Sequence, residues 1–109
     1  KKNRIGFFEN GEKTGTWTYW SFDGKETWEI TYKDGKKWEG KNVVHYLNHQ
    51  KMYEGTYRNG RKDGLWILWY EDGNKWREKT FNEGNIVQEE CFDENGSDVD
   101  CDLIEDVVF

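Results

Sequence analysis

The chain of 109 residues contains no proline, only one methionine and only two cysteines. Because proline is the residue that removes a backbone N–H from a β-ladder, its absence is compatible with uninterrupted strand pairing. Long hydrophobic runs are also missing, and none approaches the length needed to cross a bilayer. The sequence therefore predicts no membrane insertion.

Aliphatic residues are scarce as well. Leu, Ile, Val and Phe together account for 21 of 109 residues, and this scarcity, combined with a net charge of −6, is typical of disordered chains. Disordered chains are poor in aromatic residues, however, whereas this chain has 7 Trp, 6 Tyr and 6 Phe. Each aromatic ring can bury roughly 150–250 Å². We therefore expect one folded domain, residues 1–109, ordered by its rings.

Clusters of basic residues are absent from the linear sequence, which argues against nucleic acid as a partner. Up to Glu90 there are 16 Lys and Arg against 15 Asp and Glu, whereas the segment from Cys91 onward has 7 acids and no base. This asymmetry divides the domain into a nearly neutral repeat body, about residues 8–90, and an acidic C-terminal hairpin and tail, 91–109.

What the sequence does contain is a repeat. The segment Asn10–Gly24, NGEKTGTWTYWSFDG, returns 49 residues later as Asn59–Gly73, NGRKDGLWILWYEDG. Over Asn10–Gly35 and Asn59–Gly84, 11 of 26 aligned residues are identical. Half of this period gives about four units of 24–25 residues, a length typical of stacked-repeat proteins.

Glycine marks the turns of each unit, mostly within Asn-Gly and Asp-Gly pairs that tolerate the positive φ of tight hairpins. The predicted structural turn residues are Gly11, Gly24, Gly35, Gly60, Gly73, Gly84 and Gly96. Between two of these turns, Trp28, Ile30 and Tyr32 alternate with polar residues, which is the period of a half-buried strand. The pattern predicts an all-β fold: an antiparallel, elongated, single-layer sheet of consecutive β-hairpin repeats.

The repeat resembles a known family. Tyr32-x-x-Gly35, Tyr57-x-x-Gly60, Gly64-x-Trp66-x-x-Trp69-Tyr70-x-x-Gly73 and Phe81-x-x-Gly84 are similar to the MORN-type repeats of bacterial YwqK-family antitoxins. The resemblance covers about Phe8 to Gly96, and it implies serial β-hairpins in a curved sheet. It also implies binding to another protein, such as a toxin. The second unit lacks the Trp pair, and the fourth has neither Trp after Gly84.

The tryptophans allow two interpretations. Trp17 and Trp20 are three residues apart, so either both faces of the sheet carry rings or a bulge near Thr18 and Tyr19 brings the two together. Most rings are expected to stack one hairpin on the next, but seven exceed what one side of a thin sheet needs. The candidate exposed, ligand-binding aromatics are Tyr19, Trp20, Trp69, Trp28 and Trp76. Trp28 follows its turn glycine by four residues and Trp76 by three, which indicates a bulge in one copy.

Cys91 and Cys101 are placed symmetrically about Gly96, so a hairpin centred there sets the two cysteines opposite one another. We predict a disulfide that closes the end of the array and slightly favours an exported, periplasmic or cell-surface location over the cytoplasm. Two reduced buried cysteines and a metal pair are the alternatives. The spacing of Asp93, Asn95 and Asp98 around Gly96 fails as a calcium loop.

No motif indicates catalysis, a metal or a cofactor. His45 and His49 are expected to be ordinary polar residues, and a thin sheet has no deep cleft in which to shift the pKa of a carboxyl group. The sequence predicts a non-enzymatic protein-interaction module. A choline- or glucan-binding repeat and a structural spacer are the alternatives. It leaves open whether the strand edges are capped or pair with another copy, and whether the final segment LIEDVVF docks on the body or on a neighbour.

Overall fold

A computed structural model describes residues 3–104 of the chain. Nine antiparallel strands and one 3₁₀ helix occupy these residues. They are β1 (Arg4–Glu9), β2 (Glu12–Trp20), β3 (Thr27–Lys33), β4 (Lys36–His45), β5 (Lys51–Arg58), β6 (Arg61–Trp69), β7 (Lys75–Asn82), β8 (Asn85–Phe92), β9 (Asp98–Val99) and the helix Cys101–Leu103.

The strands form one open sheet in which each strand pairs with the next in the chain, from β1 to β9. The molecule measures 45 × 32 × 19 Å, and its radius of gyration of 15.3 Å exceeds the about 13 Å expected for a compact chain of this length. The predicted all-β, single-layer hairpin array is therefore confirmed. Residues 105–109 of the segment LIEDVVF lie outside the described residues.

Hairpin connections lie at two edges of the sheet. The turn edge holds two-residue turns such as Asn10-Gly11 and Asn59-Gly60, with φ between 52° and 82°. The loop edge holds longer connections, residues 21–26, 46–50, 70–74 and 93–97. In the second of these, His49 adopts φ 70° where the other three have a glycine, so the irregular second unit keeps the same turn.

The two faces of the sheet carry different rings. Residues 15–20 of β2 pair continuously with β3, so no bulge intervenes between Trp17 and Trp20 on that side. Trp17 therefore lies on one face, here called the inner face, and Trp20 on the other, the outer face. In β6, Trp66 likewise lies on the inner face and Trp69 on the outer face.

The inner face holds the core although no second layer covers it. Trp66 is 0% exposed because its ring contacts the rings of Tyr53, Tyr57 and Phe81, and Lys62 Nζ lies 5.3 Å above it. Lysine stems thus cover the indoles and leave their charges toward water. The first repeat has the same arrangement, with Lys13 Nζ 4.9 Å above Trp17.

The disulfide between Cys91 and Cys101 is present, with a Cα–Cα distance of 5.2 Å. The predicted register is wrong in detail, because Cys91 pairs in the sheet with Val99 and not with Cys101. The loop between β8 and β9 comprises residues 93–97, so its centre is Asn95 and not Gly96. A hydrogen bond from Gly96 N–H to Asp93 O closes its turn. Cys101 therefore reaches Cys91 only because the chain turns into the 3₁₀ helix at that point.

Candidate functional site

The loop edge is built by one repeated piece of backbone. In each loop the N–H of the turn residue donates to a carbonyl three residues earlier, and a second bond closes the loop at its base. The four turn bonds join Gly24 to Ser21, His49 to Tyr46, Gly73 to Tyr70 and Gly96 to Asp93. These bonds give the four loops the same backbone shape.

Side chains tie each loop to the next one. Tyr46 Oη donates to Trp69 O at 2.6 Å, and Tyr70 Oη donates to Phe92 O at 2.9 Å. Between the first and second loops the contact is aromatic, because the rings of Phe22 and His49 stack 3.8 Å apart. The row is therefore braced along its whole length, so the side chains it presents have a fixed spacing.

A cleft of about 410 Å³ opens between the first two loops and the nearby end of β6. We call it the loop-edge cleft. Its lining comprises Ser21, Phe22, Asp23, Glu26, His45, His49, Gln50, Lys51, Trp69 and Gly73. Phe22 is 66% exposed at its rim, so its ring is accessible to a ligand.

Lys51 sets the charge pattern of the cleft. Its Nζ lies 3.6 Å from Glu26 Oε2 and 3.3 Å from Glu54 Oε2, and 5.9 Å from the ring centre of Trp69. One ammonium group therefore faces two carboxylates and an indole. This mixture suits a polar ligand or a protein surface with charges of both signs.

Titratable groups in the lining have shifted pKa values. Burial lowers the pKa of His45, and the nearby Lys51 ammonium lowers it further, whereas Glu26 acts in the opposite direction. Hydrogen bonds from Ser21 Oγ and from Lys25 N lower the pKa of Asp23. At neutral pH the cleft thus presents a neutral His45 imidazole and an ionised Asp23 carboxylate.

Ser21 and two histidines line the same cleft, but they do not form a nucleophile–base pair. Ser21 Oγ donates to Asp23 Oδ1 at 2.7 Å and accepts from Glu26 N at 3.1 Å. In the described part of the chain, no hydrogen bond joins Ser21 to His45 or His49.

The five predicted aromatic residues do not form one site. Trp69 lines the cleft, and Trp20 is half-buried on the same outer face. Tyr19 and Trp28 lie on the inner face and stack at 5.9 Å, with Trp28 also 5.8 Å from the His45 ring.

Trp76 occupies a bulge and stacks on Tyr70 at 5.1 Å. In the sheet register the counterpart of Trp28 is Arg77 and not Trp76, because Tyr19 pairs with Trp28 and Leu68 with Arg77. The first loop, residues 21–26, is one residue longer than the third loop, residues 70–74. In the second copy the corresponding extra residue is Trp76, which forms a bulge in β7. Trp28 and Trp76 therefore follow their turn glycines by different numbers of residues.

Sequence reasoning missed Phe22, Lys51 and the two histidines as cleft residues. Phe22 was detectable, since it lies in a predicted turn where the second copy has Glu71. His49 was harder to find, because its role depends on the loop stacking that brings it to Phe22.

The C-terminal loop does not resemble a metal site. Glu89, Cys91 and Cys101 lie close together, but both sulfurs belong to the disulfide. Asp93 Oδ1 accepts from the N–H groups of Asn95 and Ser97 at 2.9 and 3.0 Å, so this carboxylate stabilises the turn.

Comparison of the chain with protein-family models, curated proteins and solved structures finds no match. No helix among residues 3–104 is long and apolar enough to span a membrane.

Proposed function

We propose that the protein is a non-enzymatic binding module that recognises another protein through its loop edge. The observation that carries this proposal is the loop-edge cleft, where the exposed Phe22–His49 stack adjoins Trp69 and the ion-paired Lys51. Aromatic anchors surrounded by polar groups are typical of binding hot spots. The braced loops support the proposal, because a rigid surface loses little entropy on binding.

A toxin is one class of partner that fits this proposal. Only the resemblance of the repeat to those of YwqK-family antitoxins suggests it. Neutralising such a partner requires only a stable complex that covers a functional surface. An oxidising compartment fits the disulfide between Cys91 and Cys101.

A carbohydrate is the second candidate ligand. Trp69 and Phe22 could stack on sugar rings, and Asp23 and Gln50 could bind hydroxyl groups in the same cleft. Against it, the rings of the loop edge differ from unit to unit, so successive hairpins do not offer equal sugar sites.

The test begins with a photo-crosslinking amino acid at position 22 of the full chain, which identifies the neighbour in cells of the source organism. The captured protein is then purified, and its affinity is measured by calorimetry. Phe22→Ala is expected to weaken binding at least tenfold. Leu47→Ala is the matched control, because Leu47 is 101% exposed on the adjacent loop and is absent from the cleft.

Tryptophan fluorescence titrated with choline or soluble glucans separates the two candidates. A saturable change that Phe22→Ala abolishes would replace the protein partner with a carbohydrate. Equal affinities of Phe22→Ala, Leu47→Ala and the parent chain for the captured protein would overturn the cleft as its binding site.

A further inference from the structure

A second group of polar side chains lies on the inner face, on the side of the sheet away from Trp20 and Trp69. We call it the cationic tyrosine cluster, and it consists of Arg4, Lys13, Tyr19, Tyr32 and Lys37. The hydroxyls of Tyr19 and Tyr32 are 2.6 Å apart, and Lys13 Nζ donates to Tyr19 Oη at 3.3 Å.

The sheet register brings the remaining two members to the same place. Arg4 pairs directly with Tyr19, and Lys37 pairs directly with Tyr32. Burial lowers the pKa of Lys37, and the charge of Lys13 lowers it further. Three cations and two hydroxyls thus share one patch, in which Arg4 is exposed, Tyr32 is buried and the other three residues are half-buried.

Carboxylates are almost absent from this face. Alternation along the paired strands places eight of the nine carboxylates of β1–β8 on the outer face, and only Glu89 on the inner face. The inner face of β1–β5 has none. In a chain with a net charge of −6, the cluster is therefore a local site of positive potential.

The second repeat shows that the fold does not require this cluster. Its equivalents, 49 residues later, are Tyr53, Lys62, Leu68, Phe81 and Ile86. Both copies keep the lysine above the tryptophan, Lys13 over Trp17 and Lys62 over Trp66. The other four positions are apolar or aromatic in the second copy, so packing alone does not explain a second lysine and a hydroxyl pair in the first.

We propose that the cationic tyrosine cluster binds a carboxylate side chain from an acidic, extended segment of a partner protein. The ammonium groups of Lys13 and Lys37 would donate hydrogen bonds to it, and so would the one tyrosine hydroxyl whose proton is not used within the pair. The incoming anion also reduces the repulsion among three nearby cations, which makes the contact selective for negative charge. The inference rests on the proposed function because its occupant is a protein segment, but it concerns a different face.

The probe is a fluorescein-labelled octaglutamate peptide, and its binding to the full chain is measured by fluorescence anisotropy at 50 and 500 mM salt. We expect saturable binding that weakens at high salt. A chain with net charge −6 does not attract a polyanion without a local cationic site, so such binding indicates a site of this kind, and the variants below locate it. Absence of binding at 50 mM salt would overturn the proposal.

Two variants replace residues of the cluster with those at the equivalent positions of the second repeat, where the same fold accommodates them. Lys37→Ile and Tyr32→Phe introduce the residues found at the equivalent positions, so the fold is expected to persist, and circular dichroism verifies it. Lys37→Ile should weaken peptide binding at least tenfold and Tyr32→Phe about threefold. Lys36→Ile is the matched control, because it removes the same charge from the adjacent residue on the outer face and should change affinity less than twofold.

Equal losses for Lys36→Ile and Lys37→Ile would overturn the proposal, because they would indicate attraction by overall charge. Tighter binding of a single-stranded oligonucleotide, inorganic phosphate or phosphatidylserine vesicles would overturn the choice of a carboxylate segment. None of these outcomes depends on the loop-edge cleft. Phe22→Ala should leave peptide binding unchanged, so failure at the cluster and failure at the cleft are distinguishable.

Discussion

The ring of Trp66 occupies the space that a side chain on Gly55 would need, since an added Cβ would overlap the indole atoms. Gly6 and Trp17 have the same relationship in the first repeat. Neither glycine has a positive φ, so both are required for close approach and not for backbone conformation. In both repeats the single-layer sheet therefore buries its central indole by laying it over a glycine of the neighbouring strand.

Gly55→Ala should lower the free energy of unfolding by about 1–3 kcal/mol, because the added Cβ would overlap the indole of the fully buried Trp66 and force the ring or the strand to shift. Urea denaturation followed by fluorescence measures the loss. A double-mutant cycle with Trp66→Phe provides the control, since the smaller ring should make the two effects less than additive. Strictly additive effects would contradict a steric cause.

The hairpin array was predictable because its determinants are local. Asn10-Gly11 and Asn59-Gly60 fix tight turns through their positive φ, and alternation between turns fixes which side chains share a face. These rules act within a few residues, so the sequence shows them directly.

The candidate sites were not predictable in the same way, because they join residues from different units. Phe22 and Trp69 line one cleft although 47 positions separate them, and their approach depends on how neighbouring loops stack. Trp76 shows the other source of error. A bulge in β7 removes it from the position of Trp28, and the glycine spacing alone cannot decide which strand carries the extra residue.

Trp66→Ala should cost about 3–5 kcal/mol, since the removed ring contacts three other rings on the inner face. Trp69→Ala should cost less than about 2 kcal/mol, because the half-buried Trp69 indole leaves less apolar surface to lose. Chemical denaturation of both variants tests the division into core and surface tryptophans. Similar losses for the two substitutions would show that the outer face is also a core.

Cys101→Ser should destabilise the chain by at most about 3 kcal/mol, which is the loop-closure entropy expected for two cysteines separated by 10 residues. The effect should be local, because β9 contributes only two residues to the sheet. Hydrogen exchange is expected to show lost protection in β8 and β9 and unchanged protection in β2–β6. Unfolding of the whole sheet on reduction would show instead that the disulfide supports every repeat.

Tyr32 should make the protein sensitive to alkali. Burial raises its pKa, and the hydrogen bond with Tyr19 raises it further, so the folded state holds its proton more tightly than the unfolded state does. The stabilisation is complete below the unfolded pKa of about 10 and is lost as the pH rises above it. The urea midpoint should therefore fall between pH 9 and pH 11.

Tyr32→Phe is expected to lower stability at pH 8 by about 1 kcal/mol, through the lost hydrogen bond, and to flatten the decline above pH 10. Tyr46, Tyr57 and Tyr70 also have raised pKa values, so part of the decline should remain. Urea titrations of both proteins at pH 8, 10 and 11 measure the difference. Parallel declines in the two proteins would mean that Tyr32 ionises as readily in the folded sheet as in the unfolded chain. The part-buried hydroxyl pair at the centre of the cationic tyrosine cluster would then be excluded.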